Sequence, residues 1–419
     1  MTSSPPSNVV GSLLQSSAIY FLSSVFTNGA TFLNSIAVSW YLGKVGLGEF
    51  SLCLTAVLIA LLLSDMGLNT IVLRDYSGRN EPASPSLRFL LGIRTLAASA
   101  VTVVIIAVGV SVFQESAPLV VAASLLILPR SISGVAESYL KARIQRRTVF
   151  AIAIVSSILQ ILLVWEVAAG GNSLTMIFFV LAALEYGKSL ILLLILRPTL
   201  QSQNNSVPIQ QSGLRSLLVQ GLPFAIIALL SLLGERADLF FLAALRGAAE
   251  TGIYAGAERF LMLGNLFAFS FYGSALPVFS SFRRQADYRA VVRKTLLFAL
   301  VLSSGAAFIL GVGARLIIAT TFRFEESVLL LRILAATFPG IVINSILRIA
   351  LFSVQRERPV ATVFVVAIAL NTILNLIFIP RFGALAAAFI AVGTEYAIMF
   401  GHLRLYLSFE HDKWPSRNY

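Results

Sequence analysis

The chain has 419 residues, 58% of them hydrophobic and only 12% charged, with a mean hydropathy of +0.88; these are too few polar side chains to clothe a water-soluble globule. Its formal net charge of +12 is scattered through short gaps between apolar stretches and forms no basic domain. That excludes a nucleic-acid-binding module and leaves an integral membrane protein.

Crossing a hydrocarbon core of roughly 30 Å takes about 20 apolar residues. Twelve such stretches follow one another, near 12–42, 48–73, 88–113, 117–139, 149–169, 173–196, 216–244, 251–281, 291–314, 327–353, 360–379 and 382–408. The polar N-terminus lacks the charged region of a cleaved signal peptide, so the first span is expected to serve as its own insertion signal.

Basic residues gather in alternate gaps. The even gaps and the tail hold Arg74, Arg79, Arg88, Lys141, Arg143, Arg146, Arg147, Arg197, Arg215, Arg283, Arg284, Arg289, Arg293, Lys294, Arg356, Arg358, Arg404, Lys413 and Arg417. The odd gaps hold only Lys44, Arg246, Arg315, Arg323 and Arg381. By the positive-inside rule the even gaps and both termini are expected in the cytoplasm, which fixes every span's direction. The odd gaps are all short, too short for the outer domain that a glycan-joining enzyme needs.

Charges inside spans are costly unless they meet a partner or water, so each is a candidate for function. Taken in order, the second span carries Asp65 within three turns of its inner end and holds the lone Cys53, which can build neither a disulfide framework nor a zinc site. The third span carries Arg94, near Asp65 in depth. In the fourth, Arg130 follows Pro129, where a kink is expected. In the sixth, Glu185 and Lys188 are three residues apart and can pair on one helix face. The polar stretch Gln201 to Ser212 reads as a linker.

The seventh span carries Glu235, Arg236 and Asp238, and the eighth Glu258 and Arg259. At 1.5 Å per residue the two sets are level, either as a structural staple or as cations for an anionic headgroup beside a titrating carboxylate. Arg332 and Arg348 in the tenth span have no assigned role. Asn371 and Asn375 at helical spacing in the eleventh suit helix–helix contact. Glu395 in the twelfth span lacks the lysine neighbour of Glu185, and His402 or a backbone group is its expected partner. Neither a histidine cluster nor a Gly-rich phosphate loop is present, so no metal, no ATP and no other cofactor is expected.

The pattern divides into an N-terminal six-helix lobe (1–200), a cytoplasmic linker (201–214), a C-terminal six-helix lobe (215–408) and a cytoplasmic tail (409–419). A weak repeat supports it: 145–186 and 355–396 align at an offset of 210, with Gln145-Arg146 against Gln355-Arg356 and Glu185-Tyr186 against Glu395-Tyr396. Gly48 with Phe50 and Gly252 with Tyr254 open the two halves alike.

YLGKVGLGEFSL, SDMGLNTIVLR, GLPFAI, ERADLFFLAALRGAAETGIYAGAERF and NTILNLIFIPRFGALAAAFIAVGTEY together resemble the polysaccharide-type flippases of the multidrug/oligosaccharidyl-lipid/polysaccharide (MOP) exporter superfamily, including Wzx-type O-antigen flippases. The resemblance implies an all-α membrane protein of about twelve transmembrane helices, in two six-helix lobes related by a parallel repeat around a central cavity. It implies a transporter rather than an enzyme. The implied partners are a polyprenyl-diphosphate-linked oligosaccharide, membrane lipids, H⁺ or Na⁺, and other membrane proteins of polysaccharide assembly.

A diphosphate would find cations in Arg94, Arg130, Arg236 and Arg259, while Asp65, Asp238, Glu258 and Glu395 are candidates for ion coupling. A multidrug or cation exporter of the same superfamily, and a membrane-embedded glycan polymerase or ligase, remain as alternatives.

Overall fold

The computed structural model describes residues 7–76, 86–112, 114–143, 145–202, 214–262, 264–266, 268, 279, 288–354 and 356–411. Among them there is no β-strand. Arg79, Arg283, Arg284, Lys413, Arg417, the second part of the eighth span and most of the linker and tail lie outside the described residues.

Among the described residues there are thirteen α-helices: α1 (Ser7–Asp65), α2 (Leu68–Tyr76), α3 (Leu87–Val112), α4 (Ala117–Ser124), α5 (Ile127–Ala142), α6 (Arg146–Ala169), α7 (Leu174–Ser202), α8 (Leu214–Arg246), α9 (Ala248–Glu258), α10 (Tyr288–Thr320), α11 (Glu326–Ala335), α12 (Thr337–Ser353) and α13 (Glu357–His411). Helix is the form expected of such sequences, because lipid offers the backbone no hydrogen bonds and a helix satisfies its own. Hydroxyls do likewise: Ser35, Thr55, Thr95 and Thr102 each donate to the carbonyl four residues back, at 2.7–2.8 Å.

Two expected loops reduce to single glycines. Gly43 (φ 67°, ψ −164°) turns α1 between the first two spans, and Gly383 (φ 56°, ψ −136°) turns α13 between the last two. Both lie in the left-handed region that glycine enters without a Cβ clash. At Gly383 the turn is also clamped: the Glu250 carboxylate accepts from the Ala384 amide and from Arg246 Nε, each at 2.8 Å. A Cβ on Gly383 would fall on that carboxylate.

The kink expected at Pro129 is a break between α4 and α5 at Leu125–Leu126. A proline ring clashes with the carbonyl four residues earlier, which here is that of Leu125.

The chain forms two compact units, one of 1–43 and 50–232, the other of 44–49 and 233–419. In the first, α5 packs on α2, α3, α6 and α7, with Leu68, Ile71, Leu87, Leu90, Val135, Leu140 and Leu192 buried among them. In the second, α12 packs on α10 and α13, and α11 on α9, α10 and α13; Val292, Ile346, Ala350 and Val360 lie in its core.

Backbone meets backbone at two glycine pairs. Within the second unit, a Cβ on Gly48 would fall on the Ala248 carbonyl and one on Gly252 on the Lys44 carbonyl. Within the first, a Cβ on Gly67 (φ 76°) would fall on the Gly221 carbonyl and one on Gly221 on the Met66 carbonyl. Small residues permit such close crossings in membranes, where apolar surface gains nothing by leaving lipid. These glycines belong to the strings that carry the family resemblance.

Candidate functional site

In the first unit Asp65, Arg94, Arg130, Glu185 and Lys188 are all in ion pairs. Asp65 ends α1 where Met66 and Gly67 break the helix, and its Oδ1 accepts the Asn69 amide at 3.3 Å. Arg94 of α3, only 2% exposed, puts Nη1 3.2 Å from the same oxygen and donates from Nη2 to the Leu61 carbonyl at 3.3 Å. The expected match in depth between the two is therefore a contact.

Arg130 of α5 pairs with Glu185 of α7, Nε to Oε1 at 2.9 Å. Lys188 turns away from Glu185 on its own helix to Glu137 of α5 at 2.7 Å, and Lys141 lies 3.4 Å from the same carboxylate. Cross-helix partners win because α5 and α7 pack directly. Glu137 escaped the sequence reading, though it stands seven residues after Arg130, two turns along the same helix face.

In the second unit the two sets of charges on α8 and α9 meet, as their depths require. Arg236 Nη1 is 2.6 Å from Glu258 Oε1. Asp238 Oδ2 accepts the Tyr254 hydroxyl, and its Oδ1 accepts the Leu239 amide at 2.9 Å. Asp238 and Glu258 are buried, at 9% and 8% exposure, and Arg259 is half-buried within Coulombic range of Arg236 and Glu258. Tyr254 belongs to the Gly-x-aromatic repeat, whose aromatic thus holds a carboxylate.

Glu395 on α13 has a different partner from those expected. Asn344 of α12 donates from Nδ2 to Glu395 Oε2 and to its carbonyl, both at 2.9 Å. In the alignment at an offset of 210, Glu395 corresponds to Glu185. The first unit thus meets this carboxylate with an arginine, and the second with a neutral amide that leaves its charge in place. Arg348, one helical turn beyond Asn344, lies within Coulombic range of Glu395, of Glu235 on α8 and of His402.

Asn375 donates to Asn371 and Asn371 to Thr394, each at 2.9 Å, tying together the two segments of α13 on either side of Gly383. An apolar groove of about 550 Å³ runs along the same helix, lined among others by Leu370, Phe378, Phe382 and Phe389; its chemistry suits hydrocarbon and not a headgroup. Among the described residues no group of three or more His, Cys, Asp and Glu could hold a metal ion.

The eight residues singled out from the sequence thus fall into four sets, Arg94 with Asp65, Arg130 with Glu185, the Arg236–Asp238–Glu258–Arg259 cluster, and Glu395 with Asn344. The first two belong to one unit and the last two to the other.

The fold is that of known MOP transporters. The chain is similar to an inward-facing multidrug-resistance MATE family transporter of the MOP superfamily, with a TM-score of 0.72 at 15% identity over 93% of this chain and 96% of that one. It is similar to the lipid II flippase MurJ in an inward closed conformation, at 0.68 and 15% over 94% and 87%. It is also similar to a MOP superfamily transporter from Pyrococcus furiosus whose binding pocket is described as of reverse polarity, at 0.67 and 15% over 95% and 94%. No curated protein matches the sequence. The family model described as polysaccharide biosynthesis protein matches residues 13–283, more than half of the chain, and the chain, a multi-pass helical membrane protein, belongs to that family.

Proposed function

We propose that the protein flips an undecaprenyl-diphosphate-linked oligosaccharide, an O-antigen or exopolysaccharide repeat unit, from the cytoplasmic to the outer leaflet of the bacterial inner membrane by alternating access. The observation that carries this reading is the set of arginines held inside apolar spans, Arg94, Arg130, Arg236 and Arg259, in a chain of the polysaccharide biosynthesis family. Arginine is the cation suited to phosphate, because its planar fork matches two oxygens at once. Each of Arg94, Arg130 and Arg236 already faces a carboxylate, so a diphosphate would compete with that partner. Exchange of one anion for another lets a headgroup bind without leaving a bare charge in lipid.

Asp238 and Glu395 are assigned to ion coupling, to H⁺ or Na⁺. Their partners are a phenol and an amide, neither of which cancels a carboxylate's charge. Glu258 and Asp65 are each in an ion pair, with Arg236 and Arg94, which makes those two the weaker coupling candidates.

The test is leaflet exchange in liposomes of purified protein loaded with labelled polyprenyl-diphosphate sugar. Movement across the bilayer that depends on an imposed ion gradient is expected. Cargo that stays in its original leaflet would sink the proposal, and gradient-driven export of a cationic dye in the same vesicles would favour the multidrug alternative.

A further inference from the structure

We infer that Arg348 is the core of a second oxyanion subsite, within the C-terminal unit, and that its occupancy is linked to the protonation of Glu395. The inference rests on the flippase reading for the identity of the lipid, but the geometry is its own. Twelve of the seventeen residues of α12 are buried, and Arg348 is its one exposed residue. A membrane helix enclosed by its neighbours and exposing only an arginine cannot be exposing it to acyl chains.

Snorkelling to the bilayer surface does not account for it either. Arg348 lies within Coulombic range of Glu235, an exposed carboxylate eleven residues from the end of α8 at Arg246, a rise of roughly 16 Å. The point at which these two side chains come within range of each other therefore lies well into the span. Among the described residues Arg348 makes no ion pair or hydrogen bond, whereas Arg94, Arg130 and Arg236 each do. Its donors are already available, without displacing a carboxylate.

The chemistry that fits an exposed guanidinium with no ion-pair or hydrogen-bond partner among the described residues, inside a membrane span, is a phosphate or diphosphate oxyanion, bound bidentately. Two carboxylates, Glu395 on α13 and Glu235 on α8, weaken the positive field at this point, Asn344 is neutral, and His402 adds positive charge only when protonated. Neutralising Glu395 therefore strengthens the hold of Arg348 on an anion. Linkage makes the effect reciprocal: an anion on Arg348 favours the proton on Glu395. Cargo headgroup and coupling proton then load together.

The test measures binding of undecaprenyl diphosphate to the full chain in nanodiscs of uncharged lipid, with undecaprenol and inorganic diphosphate as competitors. Arg348→Gln is expected to weaken undecaprenyl diphosphate roughly tenfold or more, with undecaprenol unaffected. Arg348→Lys should recover part of the loss, and Arg332→Gln, an exposed arginine of the same span, should cause none. Glu395→Gln is expected to tighten binding several-fold at neutral pH and to flatten its rise on acidification, an effect that general damage to the fold would not produce.

Equal binding by wild type and Arg348→Gln overturns the subsite, and weaker binding by Glu395→Gln overturns the linkage. Displacement by inorganic diphosphate at comparable concentration assigns the subsite to free phosphate and overturns the lipid as its ligand. If the wild type fails to distinguish undecaprenyl diphosphate from undecaprenol, the flippase reading itself falls.

Discussion

At the residue scale, ion pairs buried in these helices should be more expensive to break than to remove. Arg236→Gln leaves Glu258 charged at 8% exposure; a loss of about 2–4 kcal/mol is expected, and the double variant Arg236→Gln, Glu258→Gln should regain part of it. Unfolding of the protein in lipid nanodiscs checks this, and a double variant less stable than the single would contradict it. Asp238→Asn combined with Glu395→Gln should leave residual exchange of cargo that no longer responds to an imposed gradient. If transport by that double variant still follows the gradient, coupling resides elsewhere. Most of the charges involved were legible in the sequence as intramembrane residues. Their partners were legible only where depth alone decides, as for Arg236 with Glu258. Asn344 could not be found that way, because an amide inside a span carries no charge to mark it and its alignment with Glu395 depends on how α12 packs against α13.

At the scale of elements, the apolar stretches are helical wherever they are described, because lipid enforces one backbone solution. What the pattern could not show was that α1 and α13 each contain two spans turned about one glycine. Hydropathy registers a gap, whereas the sign of φ is a local steric matter. Gly383→Ala is expected to cost about 1–3 kcal/mol, since alanine meets both the left-handed backbone and the Glu250 carboxylate. Gly43→Ala, with nothing near its Cβ direction, should lose only the backbone part. Comparing the unfolding of the two variants separates conformation from contact, and equal losses would remove any special role for Glu250.

For the molecule as a whole, the alternation of basic gaps makes an orientation prediction that the fold alone does not. A reporter fused after Asn172, between α6 and α7, is expected to be active only outside the cytoplasm, and one fused within 203–213 only inside. The opposite pattern would invert every assignment of leaflet made above. The compact units divide at 232–233, within α8 and beyond the polar linker expected at 201–214, and the second unit also takes 44–49.

That transfer bears on how the protein is made. Gly48 and the segment around it find their backbone partner at Gly252, 204 residues later in the chain. At about 5–20 residues per second, the first helical hairpin must wait in the membrane for roughly 10–40 s before α9 is synthesised. The C-terminal unit cannot complete itself from its own half of the sequence, so separately expressed halves should assemble only when the first carries this turn.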